Sequence, residues 1–270
     1  MSTQSSRGLA VVTGASAGIG AAYADRLAKR GYDLLLVARN DERLQALAER
    51  LTRETGRKVE PFQADLGRRD DLARLEARLR EDATITMLVN NAGIGSVASI
   101  LQADVEAMDA MIQLNITALT RLTHAVAPAF VARGSGTIVN ISSVVGIAVE
   151  MLNGVYSASK SYVLSFGHSL QKDLADKGVR VQTVLPGATA TEFWDVAGYA
   201  AQKTSAITMS AADLVDAALA GLDQGERVTI PGLQDVDDWT RWEEDRRAIS
   251  AKFGNAKPSA RYGLATANAA

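Results

Sequence analysis

Short runs of aliphatic residues alternate with longer amphipathic segments along most of this 270-residue chain. Asp33–Ala38 is almost continuously apolar, as a strand covered on both faces should be. In Asp41–Glu54, Leu44, Leu47 and Leu51 recur at the spacing of one helix face. This alternation predicts an α/β fold in which helices cover both faces of a doubly wound parallel sheet. The predicted strands are Leu9–Thr13, Asp33–Ala38, Lys58–Gln63, Met87–Asn90, Gly136–Ile141, Val179–Leu185 and Arg227–Ile230.

The same pattern predicts the helices and a single domain. Residues 1–253 show no linker, composition break or repeat, so we expect one catalytic domain. Within it, residues 188–210 form an irregular segment, the expected substrate loop, and residues 254–270 are expected to be a mobile tail. The predicted helices are Ile19–Arg30, Asp41–Glu54, Asp70–Leu79, Asp104–Arg133, Val155–Lys177 and one capped by Ser210.

Composition narrows the range of functions. A net charge of −2 gives no electrostatic reason to bind nucleic acid or an anionic membrane. The chain has no cysteine, which excludes disulfides, thiolate metal sites and cysteine nucleophiles. Its two histidines, His124 and His168, stand in separate helical patterns, so no metal site is predicted. The N-terminus has no signal-peptide pattern and no apolar run is long enough to span a bilayer, so we expect a soluble, cytoplasmic protein.

A glycine-rich turn, Gly14-x-x-x-Gly18-x-Gly20, lies between the first predicted strand and the first predicted helix. Glycines let the backbone approach a pyrophosphate closely, and a helix N-terminus favours its negative charge. No Gly-Lys-Ser/Thr sequence follows, so the turn is not a P-loop. In a doubly wound sheet this turn predicts a dinucleotide at the carboxyl ends of the strands.

The residue after the second strand bears on the choice of dinucleotide. A carboxylate there would accept hydrogen bonds from the ribose of NAD, but the chain has Arg39 followed by Asn40. A guanidinium suits a 2′-phosphate, so Arg39 favours NADP(H), with a solvated surface arginine as the alternative. Asp65, after the third strand, either hydrogen-bonds an adenine amine or is a loop or helix-capping residue.

Tyr156 and Lys160 are four residues apart in a predicted helix and therefore share one face. An ammonium there favours the phenolate form of tyrosine, whose ordinary pKa is about 10. Ser143 adds a hydroxyl, so the three residues can pass a proton to or from a carbonyl. A Tyr/Lys pair taken alone is more often a packed ring beside a lysine that extends to solvent, so this interpretation depends on the glycine-rich turn.

Taken together, these residues resemble the single-domain branch of the short-chain dehydrogenase/reductase family. The resemblance covers Gly8 to Pro231 and implies a Rossmann fold and a homodimer or homotetramer. The family motifs occur in order as Thr13-Gly14-x-x-x-Gly18-Ile19-Gly20, Asp65-Leu66, Asn90-Asn91-Ala92-Gly93, Asn115, Ser143, Tyr156-x-x-x-Lys160, and Pro186-Gly187 with Thr191.

The resemblance implies a catalytic tetrad of Asn115, Ser143, Tyr156 and Lys160. Tyr156 would give a proton to the substrate oxygen in reduction and accept it in oxidation, while Ser143 hydrogen-bonds that oxygen. Lys160 would lower the pKa of Tyr156 and bind the nicotinamide ribose, and Asn115 would hold a water that links Lys160 to a proton path. Family spacing alone selects Ser143 over Ser142.

The resemblance also assigns cofactor contacts at the strand ends, including Tyr156 and Lys160. Some relatives have a basic residue where this chain has Ala17, so Arg39, with Ser16, would supply most of the phosphate recognition. The other implied contacts are Gly14, Gly18, Ile19, Gly20, Asp65, Leu66, Asn91, Ala92, Gly93, Pro186, Gly187, Thr189 and Thr191.

Substrate recognition is expected from the loops after the fifth and sixth strands. Met151 and Leu152 in the first loop, with Phe193 and Trp194 in the second, suggest a pocket for hydrophobic or aromatic ketones. The same rings would serve equally as loop packing or subunit contacts. The predicted function is an NADP(H)-dependent carbonyl reductase or alcohol dehydrogenase acting on a small molecule. The alternatives are an NAD-dependent secondary alcohol dehydrogenase, a non-catalytic dinucleotide-binding sensor and a nucleotide-dependent transferase.

Overall fold

Nine strands are found in the computed structural model, which describes residues 6–152 and 154–264. They are β1 (Leu9–Thr13), β2 (Asp33–Ala38), β3 (Val59–Gln63), β4 (Ile85–Asn90), β5 (Gly136–Ile141), β6 (Val179–Val184), β7 (Thr189–Ala190), β8 (Met209–Ser210) and β9 (Val228–Thr229). Seven of them form a parallel sheet in the order β3-β2-β1-β4-β5-β6-β9, and β7 pairs with β8. The predicted doubly wound sheet is therefore confirmed.

Helices join the strands and cover both faces of the sheet, and one further helix follows the last strand. They are α1 (Gly18–Lys29), α2 (Asp41–Thr55), α3 (Arg69–Glu81), α4 (Val105–Ile112), α5 (Leu119–Arg133), α6 (Gly154–Leu174), α7 (Phe193–Val196), α8 (Ala211–Asp223) and α9 (Val236–Ser250). The chain divides into two units, residues 1–232, which contain the whole sheet, and residues 233–270.

Alternation along β1 explains why the sheet is covered on both faces. Successive strand side chains point to opposite faces. Val12 accordingly packs in one core cluster with residues of α1, α2 and α8. Val11 packs in the other, with residues of α3 and α5. Both faces of the strand are therefore buried, as its continuous apolar sequence predicts.

The predicted helix Asp104–Arg133 consists of three segments. Between α4 and α5, Gln113–Ala118 forms a π-helical segment, whose wider turn rotates the following side chains. Pro128 lies inside α5 without ending it. The segment 188–210, expected to be irregular, contains β7, α7 and β8.

The second unit is described by itself. Its helix α9 carries Trp239 and Trp242, whose rings stack with centroids 4.8 Å apart. A short 3-10 turn, Ala260–Tyr262, lies in the predicted tail, and residues 265–270 lie outside the described part of the chain. Across the described residues, no helix has the length and apolarity needed to cross a bilayer.

Strand order places the site. β2 and β3 lie on one side of β1, and β4, β5 and β6 lie on the other, so the strand order reverses at β1. In a doubly wound sheet this reversal opens a crevice at the carboxyl ends of the two neighbouring strands, here β1 and β4. Helix α6 lies close to β6 because Gly167 faces Thr183, where a methyl group built on Gly167 would be 2.0 Å from the Thr183 Oγ1. This close packing brings the first turns of α6 to the end of β5.

Candidate active site

Lys160 is held at the end of β5 by both its side chain and its backbone. Its ammonium donates to the Ile141 carbonyl at 3.0 Å, and its own carbonyl accepts from the Ser142 hydroxyl at 2.7 Å. The side chain is 7% exposed and lies 5.7 Å from the Tyr156 ring centroid. Burial lowers the pKa of Lys160 to about 8, because the charged form loses its hydration.

Ser143 and Tyr156 are in contact at the same strand end. The Ser143 hydroxyl hydrogen-bonds the phenol, which stabilises the phenolate. Burial nevertheless raises the pKa of Tyr156 above its ordinary value and outweighs that hydrogen bond. Ser142, the alternative considered from the sequence, directs its hydroxyl to the Lys160 carbonyl instead. The structure therefore places Ser143, and not Ser142, beside the phenol.

Asn115 lies in the π-helical segment and is 2% exposed. Its amide oxygen accepts from the Ile94 N–H at 3.0 Å, and its amide nitrogen donates to the Ile94 carbonyl at 2.9 Å and to the Ser159 hydroxyl at 3.0 Å. A methyl group built on Gly93 would lie 3.1 Å from Asn115 Oδ1 and 3.5 Å from Lys160 Nζ. All four residues of the predicted tetrad therefore lie at one site.

The glycine-rich turn has the geometry of a dinucleotide cradle. Gly14 and Gly18 have φ values of 64° and 54°, which favour glycine, and a methyl group on Gly20 would lie 2.1 Å from the Gly14 carbonyl oxygen. Within the described residues no side chain caps α1, and its first turn carries no acidic residue. The N–H groups of this turn are therefore suited to a pyrophosphate.

Thr13 connects this turn to the end of β4, a role that the sequence interpretation missed. Its hydroxyl donates to the Val89 carbonyl and accepts from the N–H groups of Asn91 and Ala92 at 2.9 and 3.0 Å. The Asn91 amide donates to the carbonyls of Thr13 and Gly14. Thr13 precedes the first glycine of the motif, and that position is the sequence signal for its role.

The predicted nucleotide-selecting residues lie at the ends of β2 and β3. Arg39 is exposed, and its backbone carbonyl accepts from Gln63 Nε2 at 3.2 Å. Asp65 accepts from the Gly67 N–H at 3.0 Å, which is the bonding of a loop aspartate. Leu66 is buried in the adjoining core.

The segment after β6 approaches the glycine-rich turn. A methyl group built on Gly18 would lie 2.9 Å from the Thr191 Cγ2, so Thr191 faces the turn. Thr189 is buried in β7, and its hydroxyl donates to the Gly187 carbonyl. The Pro186 carbonyl accepts from the Ser143 hydroxyl at 3.3 Å. These contacts join the segment after β6 to both the glycine-rich turn and the tetrad.

The predicted substrate residues have different surroundings. Phe193 lies over the phenol, with its ring centroid 5.5 Å from that of Tyr156, and packs where a methyl group on Gly95 would be. Trp194 is buried and donates from Nε1 to the Thr189 carbonyl at 2.9 Å, so it anchors its own loop. Met151 is 64% exposed, while Leu152 packs beside the small core cluster around Tyr156.

A family model for short-chain dehydrogenases matches residues 8–202. A short-chain dehydrogenase from Sphingobium yanoikuyae, solved in complex with NADPH, is 48% identical with a TM-score of 0.92, and the match covers 94% of this chain and 100% of that one. The bulky-bulky ketone specific alcohol dehydrogenase from Comamonas testosteroni is 42% identical with a TM-score of 0.88, over 94% of this chain and 98% of that one.

A curated relative extends the comparison to longer proteins. The very-long-chain 3-oxoacyl-CoA reductase of Anas platyrhynchos is 40% identical over 188 residues, which are 68% of this chain and 60% of the relative. The chain therefore spans about three fifths of the length of that relative. With the family model and the tetrad geometry, these matches show that the chain belongs to the short-chain dehydrogenase/reductase family and is an oxidoreductase of CH–OH and C=O groups.

Proposed function

We propose that this protein is an NADP(H)-dependent carbonyl reductase, also acting as an alcohol dehydrogenase in reverse, for hydrophobic or aromatic ketones. The convergence of Asn115, Ser143, Tyr156 and Lys160 at the carboxyl end of β5 carries the proposal. A sensor that only binds a dinucleotide has no need of this buried proton-transfer set.

Tyr156 acts as the acid in reduction. The glycine-rich turn and Arg39 would hold NADPH, which would supply the hydride for the carbonyl carbon. The Tyr156 hydroxyl gives its proton to the carbonyl oxygen, which becomes the alcohol oxygen, and Ser143 donates a hydrogen bond to that oxygen as its negative charge develops. Lys160 lies beside the phenol and supports return of a proton to it, and Asn115 fixes the adjoining Gly93–Ile94 backbone.

Arg39 supports the preference for NADP(H). Its exposed side chain at the end of β2 stands where a ribose 2′-phosphate would lie in a doubly wound fold. A planar guanidinium binds a phosphate with two parallel hydrogen bonds. The Sphingobium relative, solved with NADPH, is consistent with this choice.

Phe193 and Gly95 support a substrate with large apolar groups. They place an aromatic wall directly beside the Tyr156 phenol. The Comamonas relative is specific for bulky-bulky ketones, and the Anas relative reduces very-long-chain 3-oxoacyl-CoA. A ketone with two large substituents therefore fits the proposal better than a small polar one.

We also propose a homodimer or homotetramer located in the cytoplasm. Tyr162 and Phe166 of α6 are half-buried, and their rings stack with centroids 5.6 Å apart, which leaves aromatic surface on this helix for a second subunit. Light scattering after size-exclusion chromatography measures the subunit number, and a monomer would contradict this part of the proposal.

A carbonyl panel with NADPH and NADH tests the function. We expect aryl and bulky ketones to be reduced faster than small polar ketones or sugars, with NADPH as the better cofactor. Tyr156→Phe should lose at least about a thousandfold in kcat while still binding NADPH, because it removes only the proton donor. Unchanged activity in this variant, or faster turnover of sugars, would contradict the proposal.

A further inference from the structure

Arg43 forms an ion pair that joins two distant parts of the first unit. Its Nη1 lies 2.7 Å from Glu192 Oε2, although the residues are 149 positions apart in the chain. Arg43 is in the first turn of α2, and Glu192 directly precedes Phe193. Both side chains are about half exposed, at 49% and 56%.

The start of α2 is also the end of β2, where Arg39 lies. Asn40 caps this helix by accepting from the Arg43 N–H at 2.9 Å, which fixes the first turn against the strand end. Arg39 and Arg43 therefore stand on either side of the cap. Arginine side chains are long enough for two of them, so spaced, to bind one phosphate.

The same turn carries two carboxylates that would repel a phosphate, Asp41 and Glu42. Arg39 alone gives the site one positive charge against these two negative charges. A phosphate with a charge close to −2 needs a second cation there. Arg43 is in the same turn, and Glu192 is the ion-pair partner with which such a phosphate must compete.

We propose that Arg43 is a second specificity-determining residue for NADP(H), and that Glu192 neutralises it until the cofactor binds. This inference rests on the proposed preference for NADP(H). An exposed ion pair is weak because water and salt screen it. A phosphate carries a charge close to −2 and can accept from Arg39 and Arg43 together, whereas the Glu192 carboxylate carries one charge, so exchange of Glu192 for the 2′-phosphate is favourable.

Titration of NADPH and NADH in the absence of substrate, followed by cofactor fluorescence, tests this exchange. Arg43→Gln should weaken NADPH binding about tenfold and leave NADH binding unchanged. Glu192→Gln should strengthen NADPH binding a few-fold, also without effect on NADH. Arg53→Gln and Glu54→Gln, in the last turns of α2, are the matched controls because they make the same charge changes at the other end of the helix.

The outcomes separate the alternatives. If Arg43→Gln weakens both dinucleotides equally, or neither, Arg43 does not recognise the 2′-phosphate and the proposal fails. If Glu192→Gln weakens both, the ion pair closes over any dinucleotide, and the proposal also fails. The wild-type affinities test the separate proposal that NADPH is preferred, because a wild type that favours NADH contradicts that preference before any variant is compared.

Discussion

Burial shifts the pKa values of Tyr156 and Lys160 in opposite directions. It raises the pKa of the phenol and lowers that of the amine to about 8, so the neutral form of each is favoured. The family resemblance led us to expect that Lys160 would lower the pKa of Tyr156. In the structure the Ser143 hydrogen bond is the lowering influence, and burial outweighs it. A phenol that stays protonated at neutral pH is suited to carbonyl reduction.

The lowered pKa of Lys160 predicts a pH dependence. As pH rises through about 8, the amine loses its proton and its positive charge, so it no longer supports reprotonation of Tyr156. We expect kcat/KM for ketone reduction to fall through this range and kcat/KM for alcohol oxidation to rise. In the Lys160→Met variant, the kcat/KM profile should lose its inflection near pH 8. Circular dichroism checks that this variant is folded. A wild-type reduction profile that is flat across this range would contradict the prediction.

The four residues of the tetrad could be identified from the sequence only because the chain resembles a known family. The spacing of Tyr156 and Lys160 predicts a shared helix face, and the structure has it. The sequence alone did not show that Ser142 bonds the Lys160 carbonyl while Ser143 bonds the phenol. That choice depends on how β5 ends against α6, which is a tertiary contact.

At the scale of elements, the π-helical segment was beyond sequence analysis. Apolar and polar positions continue through Gln113–Ala118 with no glycine or proline to mark it, so one helix was predicted. The extra residue in this turn accompanies the inward position of Asn115, which is fixed by three hydrogen bonds. Functional sites are common places for such segments, because the free energy of an irregular turn must be offset by specific contacts.

Contact between α6 and β6 is predicted to be sensitive to one methyl group. In Gly167→Ala the new carbon would lie 2.0 Å from Thr183 Oγ1, so α6 or the buried Thr183 side chain must shift, and a shift of α6 would displace Tyr156 and Lys160. We expect the free energy of unfolding to fall by about 1–3 kcal/mol and kcat to fall with it. Chemical denaturation and steady-state kinetics measure the two effects.

Two further variants make that prediction specific. Gly154→Ala, in the same helix, is the control because a methyl group there meets no described atom within 4 Å. Thr183→Ala combined with Gly167→Ala should recover part of both losses, since it removes the clashing oxygen. Equal destabilisation by Gly154→Ala and Gly167→Ala would mean that contact with Thr183 is not responsible for the loss, because helix propensity alone favours alanine over glycine.

For the whole molecule, the first unit contains the tetrad, the glycine-rich turn and both arginines near the end of β2. A cofactor that binds only the folded state stabilises that unit by about 2.7 kcal/mol at a hundred times its Kd. We therefore expect saturating NADPH to raise Tm by roughly 5–10 °C in differential scanning fluorimetry. Equal concentrations of NADH should raise Tm less, and the difference should shrink with salt. A larger rise with NADH would contradict the proposed preference.

The strands and the doubly wound class of the sheet follow from the sequence pattern, but contacts between distant segments do not. Strands buried on both faces are recognisable from composition, and seven of them were predicted within a few residues of their observed bounds. The ion pair of Arg43 and Glu192 and the packing of Phe193 on Gly95 join residues about 100 to 150 positions apart. Neither contact can be recognised from the neighbouring sequence, because each depends on how the segment after β6 folds back toward the carboxyl ends of the strands.

The attachment of Lys160 to β5 has a consequence for protein engineering. Its ammonium and its carbonyl are bonded to consecutive residues, Ile141 and Ser142, so the proton-transfer set belongs to the rigid scaffold. The Phe193 ring beside the phenol, the proposed substrate wall, belongs to a separate stretch of chain after β6. A library that varies this stretch only from Phe193 onward should therefore change which ketones are accepted while leaving the proton transfer and the cofactor contacts of Pro186 to Glu192 intact.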